Sequence, residues 1–275
     1  MSNSYNPRLI AITIVRNESS NYLRSWLENI SNFADYHIFV DDASDDSTPD
    51  IIKEHLKKYP GELHIRKTPL FIKNEPLLRS ELWDYTRRVA RQGDWILIVD
   101  ADEFYDETLL RLKPKLLANK FPNIDVVKVS CLDMWNSTSF RKDGYWSPFY
   151  TAVRLIRFYD VDFGANNTSL HMPAYPSSTD ISKNLRKFVP MMHFAYLRSA
   201  DRLRRYNFYK SNVSPDENKT AYMHALSIMA PNPKTRSFFG LLSCIYHSMM
   251  GHKIYMQIYK ELKKYSQEDK NEKDS

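Results

Sequence analysis

Glycine and cysteine are scarce in this chain of 275 residues, and each scarcity excludes a class of proteins. Only 6 glycines occur, well below the ordinary share of about 7 %. Neither G-x-G-x-x-G nor G-x-x-x-x-G-K-S/T is present, so the glycine-rich phosphate loops of Rossmann and P-loop proteins are missing. The two cysteines, Cys131 and Cys244, lie far apart in the sequence, and their spacing predicts neither a disulfide framework nor a zinc site.

Long apolar runs and nucleic-acid-binding motifs are missing as well. The apolar run near the N-terminus is too short for a signal peptide or a membrane span, so we expect a strand there and a cytoplasmic protein. The net charge of +6 suits a nucleic acid, an anionic lipid or a phosphate-bearing substrate. Because the basic residues are dispersed and no motif for DNA or RNA is visible, no nucleic-acid partner is expected.

The sequence does contain a regular alternation of short apolar runs and amphipathic segments. Runs rich in β-branched residues occupy residues 9–15, 38–40, 95–99 and 124–129. Such runs, separated by helical patterns, predict an α/β domain with buried parallel strands. One helix is predicted to begin with Thr48 as its N-cap and Pro49 as its first residue, and another to span residues 75–91.

The C-terminal third has a different pattern. From residue 199 to residue 265 it is helical, with interruptions near Pro215 and at residues 231–233. Within it, residues 238–259 are apolar and rich in Met and Tyr, and three uses stay open: packing on the domain, dimerisation, or docking on a membrane surface through nearby lysines. Packing is favoured because His, Ser and Gln interrupt the apolar face. Docking would make the protein peripheral to the inner face of the membrane.

Two carboxylates follow the buried run at residues 95–99. Asp100 and Asp102 are two residues apart, and on an extended chain such side chains point to the same side. Their oxygens can then converge on one hard cation such as Mg²⁺ or Mn²⁺, which also binds substrate phosphates. The carboxyl end of a strand is where open α/β sheets bind ligands. A solvated acidic turn is the alternative.

Two other predicted strands also end in polar residues. Asp41 and Asp42 follow residues 38–40, where carboxylates can accept hydrogen bonds from a ribose or a base. Asp45, Asp46 and Ser47 fit better as turn and capping residues. The first strand ends in Arg16-Asn17-Glu18, where a nucleotide can lie across adjacent strand ends or a helix can be capped.

The three segments together resemble the family-2 glycosyltransferases of the GT-A fold. Members open with a strand that ends in Asn-Glu, as at residues 17–18, and continue with D-D-x-S-x-D-x-T, as at residues 41–48. A D-A-D-E metal motif follows, as at residues 100–103. The resemblance is clear over residues 8–106 and looser to about residue 210. It implies an α/β fold with a mixed, mostly parallel central sheet flanked by helices, and a helical C-terminal extension.

The resemblance also implies roles for the donor-side residues. Asp41 or Asp42 would contact the nucleoside, and Arg79 the nucleotide, although Arg79 also fits a solvated helix face. The backbone of residues Val15, Arg16 and Asn17 would flank the base. Asp100 and Asp102 would bind Mn²⁺ or Mg²⁺ on the diphosphate, with Asp100 also able to contact the ribose.

A third metal ligand and a catalytic base are implied less directly. His193, or else His171, would complete the metal site; a packed core histidine is the alternative for His193. Inversion at the anomeric carbon requires a base for the acceptor hydroxyl, and Asp133 and Asp143 are the candidates ahead of Asp160 and Asp162. Nearby aromatic side chains would stack on sugars or pack a lid: Trp135, Tyr145, Trp146, Phe149 and Tyr150.

The resulting hypothesis is a metal-dependent inverting glycosyltransferase that moves a sugar from a nucleotide-sugar to a glycan or other hydroxyl acceptor, in surface polysaccharide or glycan synthesis. Its catalytic domain would span residues 1–198, divided into a donor half at 8–106 and an acceptor half at 107–198. A helical extension at 199–266 and a polar tail at 267–275 would follow.

Other functions stay open to different degrees. A non-catalytic nucleotide- or sugar-binding scaffold of the same fold, or a nucleotidyltransferase, would share the acidic motif. The nucleotidyltransferase normally needs a glycine-rich entry loop. A haloacid dehalogenase phosphatase is disfavoured because its D-x-D motif belongs on the first strand, whereas here it follows the later run at residues 95–99.

Overall fold

The computed structural model describes residues 5–146, 151–164, 173–212, 219–229 and 233–237. By its internal contacts the chain divides into two compact units. The first unit comprises residues 1–129 and 152–189, and the second comprises residues 130–151 and 190–275. Strand β6 (Val126–Asn136) and strand β9 (Asn184–His193) each contribute residues to both units.

The first unit alternates strands and helices from its start. In chain order its elements before β6 are β1 (Leu9–Val15), α1 (Leu23–Ile30), β2 (Tyr36–Asp41), α2 (Thr48–Leu56), β3 (Gly61–Ile65), α3 (Phe71–Val89), β4 (Trp95–Ile98), β5 (Glu103–Tyr105) and α4 (Glu107–Leu117). Strand β8 (Thr151–Arg157) follows later in the chain. The predicted runs at residues 9–15 and 95–99 are therefore strands, and β6 extends well beyond its predicted end at residue 129.

The sheet of the first unit has the strand order β8-β4-β1-β2-β3. Strand β1 pairs in parallel with β2 and with β4, β2 pairs in parallel with β3, and β8 runs antiparallel to β4. The predicted mixed, mostly parallel sheet flanked by helices is therefore confirmed. Parallel strands buried on both faces leave near-continuous apolar runs, which is why the sequence showed them clearly.

Helices cover both faces of this sheet. On one face, Leu78 and Trp83 of α3 belong to the same buried cluster as Ile12 and Val40 of the strands. On the other face, Trp26 of α1 packs edge to face against Phe39, with ring centroids 6.2 Å apart. Burial of such large side chains contributes about 1.5–3 kcal/mol each to folding.

Two helix starts differ in detail from the prediction. Thr48 is the first residue of α2 rather than its N-cap: its N–H donates to Asp46 Oδ1 at 2.8 Å, and its hydroxyl accepts from the N–H of Glu18 at 2.7 Å. Asp46 thus satisfies a free helix N–H, as turn residues do. Helix α3 begins at Phe71 but is interrupted at Asn74, so its regular part starts at Glu75 as predicted.

The described part of the second unit contains the ends of β6 and β9, two further strands and two α-helices. Strand β7 (Ser139–Arg141) runs antiparallel to the end of β6, and β10 (Thr235–Ser237) runs antiparallel to β7. Helices α5 (Ser199–Asn212) and α6 (Lys219–Ile228) lie in the predicted helical region. Residues 235–237 are a strand, not part of a helix as predicted, because their backbone completes hydrogen bonds with the edge of β7.

The core of the second unit is aromatic and holds a buried cation. Arg141 is 3 % exposed, and its guanidinium lies 4.6 Å from the ring centroid of Trp135 and 4.9 Å from that of Trp146. Both indoles are buried, so they pack the unit rather than present sugar-stacking faces. Residues Phe149, Tyr150 and His171, the apolar segment 238–259 and the tail 267–275 lie outside the described residues. Across the described ranges, no helix is long and apolar enough to cross a membrane.

A stack of two histidines and a tyrosine lies against strand β2. His55 Nε2 is 3.0 Å from Nδ1 of His37, the two rings stack at 5.0 Å, and Tyr59 stacks on His55 at 4.6 Å. Burial lowers the pKa of His37 from 6.5 to about 3, helped by the charge of His55. Burial, with Lys58 nearby, lowers the pKa of His55 to about 4. Both rings are therefore neutral in the folded protein at neutral pH.

This stack makes the folded state sensitive to acid. Between the unfolded pKa of about 6.5 and the folded values, the unfolded chain binds more protons, so stability is lost as pH falls. We expect the melting temperature to drop from pH 7 to pH 4.5, and the drop to be smaller in His55→Phe, which removes one titrating ring. Thermal denaturation at several pH values measures this. The same slope in the variant and the unmodified protein would contradict the assignment.

Candidate active site

The carboxyl ends of three parallel strands lie side by side in the first unit. Val15 at the end of β1 is in register with Asp41 at the end of β2, and Ile12 is in register with Ile98 at the end of β4. The segments that leave these strands therefore start from one edge of the sheet. This edge is where open α/β sheets bind ligands. We call it the donor edge.

Asp100 and Asp102 lie in a turn between β4 and β5. The N–H of Glu103 donates to the carbonyl of Asp100 at 3.1 Å, which closes the turn. The sequence predicts Asp100 and Asp102 on an extended chain, but the structure places them in a turn. Both side chains are half-buried, while Ala101 between them is buried. The strand ends early because the turn brings Glu103 back into the sheet as part of β5.

The donor set of this turn fits a hard divalent ion. Carboxylate oxygens are the ligands that Mg²⁺ and Mn²⁺ prefer, and these ions keep positions for water and substrate phosphates when the protein supplies only one or two carboxylates. Within the described part of the first unit, Asp100 and Asp102 do not belong to a group of three protein ligands. Two half-buried carboxylates directly after a strand therefore match this kind of site.

A buried ion pair holds the turn in place. Glu103 is 1 % exposed, and Arg154 of β8 donates to it from Nε at 2.8 Å. The N–H of Asp100 also points to Glu103, at 3.3 Å from Oε2. Burial lowers the pKa of Arg154, but the charge of Glu103 and, to a smaller degree, of Asp100 raises it to well above its usual value. The guanidinium therefore stays charged beside the acids.

Sequence reasoning missed the role of this ion pair. In the sequence Glu103 stands only as the last residue of the D-A-D-E motif, and Arg154 belongs to no motif. A charged residue within a buried strand is the signal that was available, because such a residue needs a partner. Helix α1 supports the same segment: Trp26 Nε1 donates to the carbonyl of Glu103 at 3.0 Å, and Asn29 pairs through its amide with the backbone of Tyr105.

The loops after β1 and β2 are tied to each other. The N–H of Asn17 donates to Ser44 Oγ at 2.9 Å, and Asn17 Oδ1 accepts from the N–H of Asp45 at 3.0 Å. Ser19 donates to Asp46 from both its N–H and its hydroxyl. Asn17 and Ala43 have φ of 54° and 60°, a left-handed backbone that costs a residue with a side chain about 1 kcal/mol. These contacts fix the shape of the two loops.

Asp41 and Asp42 support these loops. Asp41 accepts from the N–H and hydroxyl of Ser44, at 2.9 and 2.5 Å. Asp42 accepts from the N–H groups of Leu70 and Phe71, at 2.7 and 2.9 Å, where α3 begins. Both residues are 0 % exposed. The structure thus gives both carboxylates a positioning role, and their predicted contact with a nucleoside stays a prediction.

The other predicted nucleotide contacts are placed as follows. Arg79 pairs with Glu75, one turn earlier on α3, with Nε 2.7 Å from Oε1. This pairing fits the alternative of a helix-face arginine, and the contact to a nucleotide stays a prediction. Val15 is buried within β1, whereas Arg16 is exposed at the donor edge.

In the second unit, Asp133 and His193 form a close pair. Asp133 Oδ1 lies 2.7 Å from Nδ1 of His193, and both side chains are 16 % exposed. The Sγ of Cys131, also on β6, lies 3.8 Å from the same oxygen. The prediction that His193 completes the metal site of Asp100 and Asp102 stays a prediction; the contact that the structure shows for it is with Asp133.

Asp143, the other predicted base, is held by a cation. Arg141 donates from Nε to Asp143 Oδ1 at 2.6 Å. This hydrogen bond, and the charge of the guanidinium, hold the pKa of Asp143 below its usual range. A carboxylate that is stabilised in its charged form accepts a proton less readily. Asp143 is therefore a weaker base candidate than Asp133.

Comparison with known proteins finds similarity only among solved structures. No model of a protein family matches the chain, and no curated protein matches it. TarS of S. aureus is 16 % identical at a TM-score of 0.45, over 80 % of this chain and 43 % of that one. The 1–349 portion of TarS is 16 % identical at a TM-score of 0.47, over 80 % and 71 %.

A second protein is similar over a smaller part. Glucosyl-3-phosphoglycerate synthase from Mycobacterium tuberculosis, in complex with Mn²⁺, uridine diphosphate and glucosyl-3-phosphoglycerate, is 17 % identical at a TM-score of 0.32, over 46 % of this chain and 44 % of that one. This chain therefore spans less than half the length of the synthase and of the first TarS chain. At these TM-scores, the function of the chain has to follow from its own residues.

The role of the Glu103–Arg154 ion pair in holding the turn of Asp100 and Asp102 can be tested by substitution. Glu103→Gln leaves the Arg154 guanidinium without its charged partner, so we expect a loss of about 3 kcal/mol in the free energy of unfolding. Urea denaturation measures it. Glu54→Gln is the matched control: Glu54 pairs with Lys57 on the exposed face of α2, and exposed pairs contribute little. Equal effects of the two substitutions would show that the buried pair does not hold the turn.

Proposed function

We propose that this chain is a metal-dependent glycosyltransferase that moves a sugar from a nucleotide-sugar donor to a hydroxyl acceptor, with inversion at the anomeric carbon. One observation carries the proposal. Asp100 and Asp102 are half-buried in a turn at the donor edge, directly after the buried strand β4. The neighbouring ion pair of Glu103 and Arg154 fixes that turn.

The donor edge supplies what a nucleoside diphosphate sugar needs. Asp100 and Asp102 would hold Mn²⁺ or Mg²⁺, and a bound divalent ion supplies positive charge to the leaving diphosphate. The backbone of Arg16 and Asn17 offers a fixed surface for the base, since the loop is bonded to Ser44 and Asp45. Arg16 is exposed at this edge and adds a positive charge for a polyanionic ligand.

The acceptor chemistry falls to Asp133. The acceptor hydroxyl attacks the anomeric carbon, its proton passes to Asp133, and the bond from that carbon to the phosphate oxygen breaks. Asp133 Oδ1 faces His193 at 2.7 Å, so Oδ2 is the oxygen that we assign to the proton. The side chain of Asp133 is 16 % exposed. Asp143 is the weaker candidate because Arg141 stabilises its charged form.

The metal and nucleotide site is tested first. With Mn²⁺ and uridine or guanosine diphosphate, we expect the melting temperature to rise, since a ligand at about 100 times its Kd adds about 2.7 kcal/mol. Asp102→Asn should abolish this rise and lower the release of nucleoside diphosphate from nucleotide-sugars by at least about 100-fold. Asp50→Asn, an exposed acid on α2, is the control and should change neither.

The outcomes separate the rival functions. Binding of the diphosphate without turnover of any uridine or guanosine diphosphate sugar would favour a scaffold. Release of pyrophosphate from a nucleoside triphosphate and a sugar phosphate would favour a nucleotidyltransferase. Undiminished turnover in excess EDTA would exclude the metal-bridged diphosphate.

The base is tested by a pair of substitutions. Asp133→Asn should lower turnover about 10²- to 10⁴-fold, the usual contribution of general-base catalysis. The melting-temperature rise with Mn²⁺ and nucleotide should persist, because the donor edge is intact. Asp143→Asn should retain most turnover at a temperature where it is folded. The reverse ranking of the two variants would assign the base to Asp143.

A further inference from the structure

Three side chains of different chemistry meet on strands β6 and β9. Cys131 and Asp133 are two residues apart on β6, so both point to the same face of the strand. His193 is the last residue of β9, which pairs with β6. One ligand atom of each residue lies within 4.8 Å of the other two. All three residues belong to the second unit.

This ligand set has a different preference from that of Asp100 and Asp102. Mg²⁺ and Mn²⁺ favour oxygen ligands, whereas a set of thiolate, imidazole and carboxylate favours Zn²⁺ and related borderline ions. Three protein ligands around a tetrahedral ion leave a fourth position for water or another ligand. The combination is therefore one that zinc proteins use.

The distances are close to those that a tetrahedral ion requires. Around Zn²⁺, nitrogen and oxygen ligands lie about 3.3 Å apart, and sulfur and oxygen ligands about 3.6 Å apart, from the usual bond lengths. Here Nδ1 of His193 lies 2.7 Å from Asp133 Oδ1, and Sγ of Cys131 lies 3.8 Å from it. These two distances therefore differ from the tetrahedral values by about half an ångström or less.

The surroundings also suit a tight site. Cys131 is 8 % exposed, and the side chains of Asp133 and His193 are 16 % exposed. The site is thus shielded from bulk water but still reachable by an ion. The contact between Asp133 and His193 already holds two ligands together, so little side-chain freedom is lost on binding. The protons of the thiol and of the hydrogen bond would leave as the ion enters.

We propose that Cys131, Asp133 and His193 bind a zinc-class divalent ion. A consequence, which rests on the proposed function, is that this ion inhibits transfer: a carboxylate bound to zinc cannot accept the proton of the acceptor. The chain then binds two kinds of metal ion with opposite effects. A hard ion at the donor edge supports transfer, and a zinc-class ion at Asp133 inhibits it.

Direct binding to the untagged full chain tests the site without nucleotide or activity. Zn²⁺ is titrated against a chromophoric chelator, and Co²⁺ is used as a spectroscopic substitute. We expect one bound ion, the intense visible bands of tetrahedral Co²⁺, and a near-ultraviolet band from the thiolate. Cys131→Ser should remove the thiolate band and lower Zn²⁺ affinity at least tenfold. His193→Gln should also lower Zn²⁺ affinity at least tenfold.

Two matched controls locate the ion. Cys244→Ser removes the other cysteine and should keep both the thiolate band and the affinity. Asp102→Asn should also keep both, because the donor edge contributes no ligand. Zinc that persists in Cys131→Ser, or that is lost in Asp102→Asn or Cys244→Ser, would overturn the site.

Inhibition is tested separately from binding. Low concentrations of Zn²⁺ should reduce Mn²⁺-supported turnover of the unmodified chain, while Cys131→Ser, measured against its own rate without Zn²⁺, should lose most of the inhibition. Equal inhibition of both proteins would overturn the inhibitory role and leave the binding result standing. If no turnover is found at all, the proposed function fails, while the Co²⁺ spectrum still decides whether the ion binds.

Discussion

The acidic turn of the donor edge depends on one buried ion pair. Glu103 brings a charge into the sheet immediately after Asp102, and Arg154 on the antiparallel strand β8 pairs with it. A buried carboxylate without a cation would take up a proton or leave the core. The antiparallel strand β8, which pairs with β4, thus carries the cation that holds the turn of Asp100 and Asp102 in place.

The fold was predictable where burial alone determines the pattern. Strand β1 has the bounds that its apolar run predicted, because both of its faces are covered by helices. Strand β10 was not predictable: Thr235-Arg236-Ser237 is polar and exposed, and only its pairing with β7 makes it a strand. The N-cap of α2 was misplaced by one residue because Asp46, rather than Thr48, accepts the helix N–H.

The site was predictable in its location but not in the partners of each oxygen. The sequence predicts Asp42 at the end of a strand, but the groups that donate to its carboxylate, the N–H groups of Leu70 and Phe71, are 28 and 29 residues away. Likewise, Cys131 and Cys244 do not have the spacing of a zinc motif, and His193 is 60 residues from Asp133. Contacts over such distances come from strand pairing, which local patterns do not encode.

The cross-linked loops of the donor edge have a thermodynamic consequence. Asn17 is hydrogen-bonded to Ser44 and Asp45, Ser19 is hydrogen-bonded to Asp46, and Asn17 and Ala43 have a left-handed backbone. Folding has therefore already met the entropy cost of ordering this surface. A nucleotide that settles there would lose mainly its own freedom, so the heat capacity change on association should reflect buried area and not a folding transition in the loops.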